Sequence, residues 1–363
     1  MRFAPPPNRF RLSAPQRLAD FDFDFAPDLV AAYPAAPRDA ARMMVVDREA
    51  RTIEHRTVRD LPAYFGAGDV LVANDTSVFP ARLRGYKEKT GAKVQVFLVR
   101  ELNAQQRLWD AIVDPARKIR VGNKLVFGGG LSAEVLDNTT SRGRTLRFIF
   151  DGSPEALHAL IDEIGETPIP PYLRREAEPA DKARYQTLFA RHRGAVSAPT
   201  AGLHFTPGLV SALEDRGATL TSVTLHKGRG SFLPIEVEDI GKHRMDAEPF
   251  CVRPEAAEAV NAALASPEAT VTACGPTVLR AMESSLSAHG TLKAMEAWTD
   301  KFIFEPYTFR IADRLLANFE RPRSPLMVMQ AAFMGHDLMR AAYDEAVRHE
   351  YRLFSFGDAM LVL

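Results

Sequence analysis

The chain has very little cysteine: only Cys251 and Cys274 occur among its 363 residues. Two cysteines are too few for a disulfide framework, and no spacing of cysteine with histidine suggests a metal site. We therefore expect two free thiols, a reducing cytoplasmic environment and no bound metal.

Net charge and long apolar runs are also absent. The 46 basic and 46 acidic residues cancel, so no global field attracts nucleic acid or membranes, and any polyanion site has to be a local patch. The mostly apolar residues 326–334 are too few to span a bilayer. Residues 1–7 lack the apolar segment of a signal peptide. We expect no membrane association.

What is present indicates two domains, since 363 residues exceed the usual size of one. Within residues 85–151, short β-prone runs alternate with turn signals, and no helical period occurs. Such a pattern is typical of a small antiparallel barrel or sandwich. We predict an α/β domain over 1–84 and 152–363, interrupted by an inserted β-domain over 85–151.

The flanking regions alternate between helical and strand patterns. Helices are predicted at 155–164, 207–216, 254–265, 277–288 and 336–350. Strands are predicted at 70–73, 220–225 and 270–273 and again from residue 354 onward. Residues 1–40 look like an irregular arm, in which the alternating aromatic and acidic residues 21–25 favour an edge strand.

Two polar segments are candidate ligand sites. Residues 195–206 combine Pro199, Gly202 and a lone His204, and Thr206 then begins a helix as its N-cap. An irregular polar loop that feeds a helix N-terminus is suited to bind an anion. The alternative is a packed connector whose histidine satisfies a buried carbonyl. Residues 74–77 follow a buried strand, where α/β sheets usually place ligands.

Five blocks in a fixed order carry a resemblance that covers nearly the whole chain. They are NDTSVFPARL at 74–83, GETPIPPY at 165–172, RYQT at 184–187, APTAGLHFT at 198–206 and FSFGDAM at 354–360. Together they resemble the S-adenosylmethionine:tRNA ribosyltransferase-isomerase family of queuosine synthesis.

The resemblance implies an activity and a fold. Members use S-adenosylmethionine as a substrate, and transfer and isomerise its ribosyl portion onto 7-aminomethyl-7-deazaguanine at the tRNA wobble position. Epoxyqueuosine forms, while adenine and methionine are released. No other cofactor is implied. The family has an α/β main domain with a mixed sheet and flanking helices, plus an inserted small antiparallel β-barrel.

This chemistry assigns candidate roles to residues of the matching blocks. His204 is the candidate for proton transfer, because a proton has to leave the ribose carbon next to the sulfonium. The other candidates bind substrate: the acids Asp75, Glu166 and Asp358, the cations Arg82 and Arg280, the rings Tyr172 and Phe205, and also Asn74, Thr200, Gly202 and His226. The alternative for the charged residues is a structural ion pair, and for the two rings it is core packing.

A local basic surface is expected to contact tRNA phosphates. Its candidate contributors are Lys118, Arg120, Arg174, Arg175, Arg191 and Arg193.

The chain also departs from the family pattern in its polar loops. Lys227 and Arg229 are new charges, and other family residues are replaced by Leu233, Asp246, Pro276, Glu320 and Pro325. These departures leave two alternatives open: a paralogous enzyme that acts on another acceptor, and a non-catalytic RNA-binding relative.

Overall fold

The computed structural model describes residues 17–228 and 235–363. It contains a nine-stranded mixed sheet with flanking helices and a closed six-stranded barrel. The predicted fold class is confirmed. The division of the chain at residues 84/85 and 151/152 stays a prediction.

In chain order, the strands are β1 (Arg42–Asp47), β2 (Thr52–Thr57), β3 (Val70–Asn74), β4 (Thr76–Val78), β5 (Arg82–Lys87), β6 (Lys93–Asn103), β7 (Leu108–Asp114), β8 (Lys124–Phe127), β9 (Ser132–Asn138), β10 (Gly143–Ile149), β11 (His192–Ala195), β12 (Thr219–Leu225), β13 (Glu248–Val252), β14 (Val271–Cys274), β15 (Met295–Thr299), β16 (Arg314–Asn318) and β17 (Ala359–Val362). The α-helices are α1 (Pro154–Ile164), α2 (Asp181–Arg184), α3 (Pro207–Asp215), α4 (Pro254–Ala265), α5 (Pro276–Ser284), α6 (Pro325–Met334) and α7 (His336–Arg348).

The large sheet has the order β15-β13-β12-β3-β14-β16-β17-β1-β2. Its central strands β12, β3, β14 and β16 are parallel neighbours, so their carboxyl ends lie at one edge, which we call the carboxyl edge. β17 runs antiparallel to β16, and Ala359 pairs with Asn318. The residues just before β17 therefore lie at the same edge.

Alternation along the central strands divides the core into two layers. In β3, Val70 and Val72 belong to the layer formed with α4 to α7. Leu71 and Ala73 belong to the opposite layer, which contains apolar residues of α3. The sheet is thus buried on both faces, as expected of parallel strands covered by helices.

The barrel is formed by the antiparallel strands β5 to β10, in the closed order β10-β7-β6-β5-β8-β9. Its interior is apolar and includes fully buried Val96, Leu125 and Leu146. The close approach of β5 to β8 requires a glycine, because a Cβ at Gly85 would lie 2.3 Å from the Val126 carbonyl oxygen. Leu157 and Ile161 of α1 pack against the same core.

Helix starts agree with the capping signals in the sequence. Thr206 caps α3 by accepting a hydrogen bond from Leu209 N, and Pro207 occupies the first turn. Pro276 and Pro325 occupy the first turns of α5 and α6 in the same way. These two departures are therefore accounted for as helix-start residues, because proline is favoured there.

The edge strand expected at residues 21–25 is wrong. A 3-10 helix, Leu18–Phe21, is followed by extended residues without strand pairing. The aromatic rings pack instead: Phe23 meets Tyr343 at 4.9 Å and Phe25 meets Phe354 at 5.2 Å between ring centroids. The alternation therefore reflects ring packing onto the domain, with no ladder of backbone hydrogen bonds.

Within the described ranges, no helix is both long and apolar enough to cross a membrane. Both thiols, of Cys251 and Cys274, are free.

Candidate active site

Asn74 closes β3 and braces the neighbouring strand. Its amide nitrogen donates to the Leu225 carbonyl at 3.0 Å, and its Oδ1 accepts from Thr76 N at 3.0 Å and from Leu225 N at 3.2 Å. With both ends of the amide used, Asn74 connects the carboxyl ends of β3 and β12.

Asp75 is the centre of a polar network that we call the Asp75 network. Its side chain is 2% exposed. It accepts hydrogen bonds from the hydroxyls of Ser222 at 2.8 Å and Thr224 at 2.5 Å and forms an ion pair with Arg253 at 3.1 Å. The partners on β12 and at the start of α4 satisfy the buried carboxylate.

His226 lies beside this network. Its Nδ1 is 2.7 Å from the Thr76 hydroxyl, and burial lowers its pKa, with the nearby Asp75 charge opposing the shift. A Cβ at Gly194 would lie 2.7 Å from the His226 ring, so only glycine lets β11 approach this closely.

His204 lies in the short 3-10 turn Thr200–His204 and is 4% exposed. Its Nε2 is 3.2 Å from Asn318 Oδ1, while Asn318 Nδ2 donates to the Phe354 carbonyl at 3.0 Å. Because Asn318 Oδ1 can only accept, Nε2 of a neutral His204 carries the proton and Nδ1 is the basic nitrogen. Burial lowers the pKa of His204 to about 4.

Other residues of this turn are placed for packing. Phe205 is 2% exposed and meets Phe189 edge-to-face at 5.0 Å. Phe205 is enclosed by core residues in this structure, and its stacking on a base stays a prediction. A Cβ at Gly202 would lie 3.0 Å from Thr187 Cγ2, and half-buried Thr200 begins the turn.

Tyr172 and Asp358 approach the carboxyl edge from the other side. The Tyr172 hydroxyl is 2.5 Å from Ser355 Oγ, and burial raises the pKa of the phenol. The guanidinium of Arg321 lies 5.3 Å from the Tyr172 ring centroid. Asp358 is buried and accepts from the backbone N–H groups of Arg42 at 3.0 Å and Arg352 at 2.8 Å, so it holds the start of β17.

Arg82 and Glu166 join the barrel to the large sheet's domain through their backbones. Arg82 N donates to Glu166 O at 3.2 Å, and Glu166 N donates to Arg82 O at 2.8 Å. The Glu166 side chain pairs with Arg84 at 2.7 Å, and Arg82 Nη2 donates to the Ile169 carbonyl at 3.2 Å. This pair lies where the barrel is attached to the rest of the chain.

Arg280 forms a buried ion pair with Glu248. The Glu248 carboxylate also accepts from Gly228 N at 2.7 Å. A paired and hydrogen-bonded charge is the form in which proteins tolerate burial of a carboxylate.

Sequence reasoning did not join Lys227 and Glu320 into one site. Lys227 is 6% exposed and follows β12, whereas half-buried Glu320 follows β16 at the same carboxyl edge. Burial raises the pKa of Glu320 to about 7, and the Lys227 charge opposes this shift. Burial lowers the pKa of Lys227, and the Glu320 charge opposes that shift. Together with Glu248 and Arg280 they form what we call the charge cluster. Lys227 and Glu320 both depart from the family pattern, and this departure was the sequence signal that could have indicated the cluster.

A cavity of about 460 Å³ lies between the barrel and the large sheet. The barrel contributes Arg100 and Trp109, and the sheet side contributes His226, Glu248 and Trp298. Arg100 lies 5.0 Å from the Trp298 ring centroid and spans the cavity. A second cavity of about 480 Å³ shares His226 and Trp298. Glu248 is the member of the charge cluster that lines this cleft, whereas Lys227, Arg280, Glu320 and His204 do not line either cavity.

The remaining sequence candidates lie in different surroundings. Arg193 lines the cavity and pairs with Asp162 at 2.7 Å, and Arg175 pairs with Asp181 at 2.6 Å. The other four candidates for contact with tRNA phosphates are exposed: Lys118, Arg120, Arg174 and Arg191. Asp246 lines the cavity, whereas Leu233 and Arg229 lie outside the described residues.

A concave cleft with convergent polar groups, beside strand ends that carry buried charges, is the arrangement of an enzyme's substrate site. The particular family is also identified: the chain belongs to the queuosine biosynthesis protein family, whose sequence profile matches residues 18–362.

Several proteins similar to this chain carry the same name. A Flavobacterium psychrophilum protein named S-adenosylmethionine:tRNA ribosyltransferase-isomerase is 54% identical, covering 96% of this chain and 100% of that protein. A Cytophaga hutchinsonii protein of the same name is 53% identical, with 96% and 100% coverage. The crystal structure of S-adenosylmethionine tRNA ribosyltransferase from Thermotoga maritima is 32% identical, covers 95% of this chain and 100% of that chain, and superposes with a TM-score of 0.52.

Proposed function

We propose that this chain transfers and isomerises the ribosyl portion of S-adenosylmethionine onto 7-aminomethyl-7-deazaguanine at the tRNA wobble position, giving epoxyqueuosine. The observation that carries the proposal is 54% identity, over the full length of the relative, to a protein named for this reaction. A tRNA substrate favours a cytoplasmic location.

The cleft supplies the space and charge that this substrate pair requires. A volume of about 460 Å³ is within the range of small-molecule sites. The carboxylate of Glu248 lines the cleft and suits a cationic sulfonium or ammonium group, while Arg100 at the same cavity suits a carboxylate. At the mouth, Trp298 is 55% exposed and offers a ring on which a tRNA base can stack.

The proposed chemistry begins with loss of a proton from the ribose carbon beside the sulfonium. The positive sulfur acidifies that carbon, so a neutral imidazole is a suitable base. His204 is neutral near pH 7, because burial lowers its pKa to about 4. Asn318 holds the tautomer in which Nδ1 accepts the proton. The acceptor's primary amine then loses a proton and replaces adenine at the anomeric carbon of the ribosyl portion. The electron pair left on the deprotonated carbon closes a carbon ring at that same carbon, and the ring oxygen released there displaces methionine to form the epoxide.

The phosphates of tRNA are proposed to meet exposed basic residues on the protein surface. Lys118, Arg120, Arg174 and Arg191 are exposed and remain candidates. Binding through phosphates releases counterions, so the tRNA affinity should fall steeply with salt. Salt-insensitive binding would contradict this part of the proposal.

The test is incubation with S-adenosylmethionine and tRNA that carries 7-aminomethyl-7-deazaguanine, followed by mass analysis of the nucleosides. Epoxyqueuosine together with free adenine and methionine supports the proposal, and tRNA with an unmodified wobble guanine is the matched control. Consumption of S-adenosylmethionine without epoxyqueuosine would identify a paralogous enzyme. Binding of tRNA without consumption would identify an RNA-binding relative.

A further inference from the structure

A cluster of three side chains lies outside the cleft, on the opposite flank of the sheet. His55 comes from the edge strand β2, and Glu345 and His349 are one turn apart on α7 and at its end. Their ligand atoms all lie within 4.8 Å of one another. No step of the proposed reaction uses them.

The two imidazoles converge on one carboxylate oxygen. Nε2 of His349 lies 2.8 Å from Glu345 Oε1, and Nε2 of His55 lies 3.4 Å from the same oxygen. Ligands bound to one tetrahedral zinc ion are separated by about 3.4 Å, given bonds of about 2.1 Å. Small side-chain rotations therefore bring all three groups around one metal position.

The surroundings orient these ligands. The Tyr351 hydroxyl lies 2.8 Å from His55 Nδ1, so the other ring nitrogen is turned toward Glu345. Metal-binding histidines usually have this second hydrogen bond, which fixes the ring. Arg42 donates to the His349 carbonyl at 2.8 Å and holds the end of α7. Arg348 pairs with the other carboxylate oxygen, Glu345 Oε2, and leaves Oε1 to the histidines.

We propose that His55, Glu345 and His349 form a site for a divalent transition metal such as Zn²⁺ that joins the edge strand β2 to α7. Two imidazoles and one carboxylate are the ligand types that zinc binds, with water in the fourth position. Half of each histidine side chain is open to solvent, at 40% for His55 and 49% for His349, so the ion has an entry path. This proposal differs from the expectation of no metal that was drawn from the sequence. The spacing of residues in the sequence could not indicate the site, because its ligands come from β2 and α7, which are far apart in the chain.

The test is titration of zinc chloride into the untagged, chelator-treated full chain, followed by calorimetry and thermal unfolding. We expect one zinc per chain and a raised thermal midpoint. His55→Ala and His349→Ala, on separate elements, should each weaken binding at least about 10-fold, and Tyr351→Phe should weaken it about 10-fold. His289→Ala, at an exposed histidine, is the matched control.

The proposal is overturned by either of two results. One is the absence of stoichiometric zinc binding at micromolar concentration in the wild type. The other is binding that persists unchanged in both His55→Ala and His349→Ala, since the ion would then lie elsewhere. Circular dichroism of each variant separates loss of the site from loss of the fold. Mg²⁺ should not compete, because it prefers oxygen ligands.

Discussion

The Asp75 network and the charge cluster lie at the same edge of one sheet, yet they differ in how their charges are satisfied. Asp75 accepts from two hydroxyls and a guanidinium, all of them side chains of neighbouring elements. In the charge cluster, burial raises the pKa of Glu320 to about 7 and lowers that of Lys227. A carboxylate whose hydrogen-bond partners are all present supports the fold, whereas ionisable groups whose pKa values are shifted by burial are typical of functional sites.

The difference shows that one sequence signal can indicate two roles. Polar residues follow β3, β12 and β16, where ligands are expected. Only the partners decide between a structural brace and a reactive group. The predictions below test that contrast from the largest expected effect to the smallest.

The largest effect should follow from breaking the buried ion pair of the charge cluster. Glu248→Gln leaves the Arg280 charge buried without its counter-ion, which costs about 3–5 kcal/mol of unfolding free energy. Urea denaturation measures the loss. The double variant Glu248→Gln with Arg280→Met should recover part of it. A loss below about 1 kcal/mol would show that the pair is solvated rather than buried.

The pH dependence of stability should reveal two opposing slopes. The folded-state pKa of His204 is about 4, below its ordinary 6.5, so the unfolded chain binds more protons between these values and stability rises with pH. The folded-state pKa of Glu320 is about 7, above its ordinary 4.5, so the folded chain binds more protons there and stability falls as pH rises. Each slope amounts to about 3 kcal/mol over its window.

These slopes offset each other in the wild type and separate in variants. His204→Gln should make stability fall from about pH 4.5 to 6.5, and Glu320→Gln should make it rise. Urea unfolding at several pH values measures both. Identical profiles for the wild type and the two variants would contradict the assigned burial of these groups.

Activity and stability should respond in opposite ways at His204 and Asp75. His204→Gln should lower turnover about 100-fold, as expected for a lost acid–base group, with a smaller loss of stability at pH 7. Asp75→Asn turns an amide toward the Ser222 and Thr224 hydroxyls, so it should cost about 1–3 kcal/mol of stability. Its turnover per folded molecule should be retained. A stable but inactive Asp75→Asn would place Asp75 in the chemistry.

The smallest effect is expected at the attachment of the barrel. Arg84→Ala removes the pair with Glu166, whose partners are 52% and 33% exposed, and should cost less than about 1 kcal/mol. A thermal shift assay is sufficient. A larger loss would show that Glu166 acts as more than a surface partner of the barrel.

Much of the fold could be predicted because local signals agreed with the tertiary structure. Thr206 and Pro207 correctly begin α3, and the region without helical period is the barrel. The strand at residues 21–25 could not be excluded, because packing of alternate rings and a half-buried strand share one period.

The site could be predicted only where its residues are close in sequence. Asn74, Asp75 and the His204 turn each belong to one segment with a recognisable pattern. Lys227 and Glu320 lie at the same edge of the sheet because β12 and β16 both end there, with β3 and β14 between them. Strand order is a property of the whole fold, so no local sequence pattern could predict that Lys227 and Glu320 lie at the same edge.

The strand order also sets a sequence of events during synthesis. All six barrel strands come from the continuous stretch between Arg82 and Ile149, so the barrel can close as soon as that stretch has left the ribosome. β1, by contrast, pairs with β17, and Met44 has to wait for Met360. One edge of β1 therefore stays without its partner strand until nearly the whole described chain has been made. A nascent chain of this protein would carry a finished barrel on an unfinished sheet, and this sheet is the part that most needs protection from aggregation.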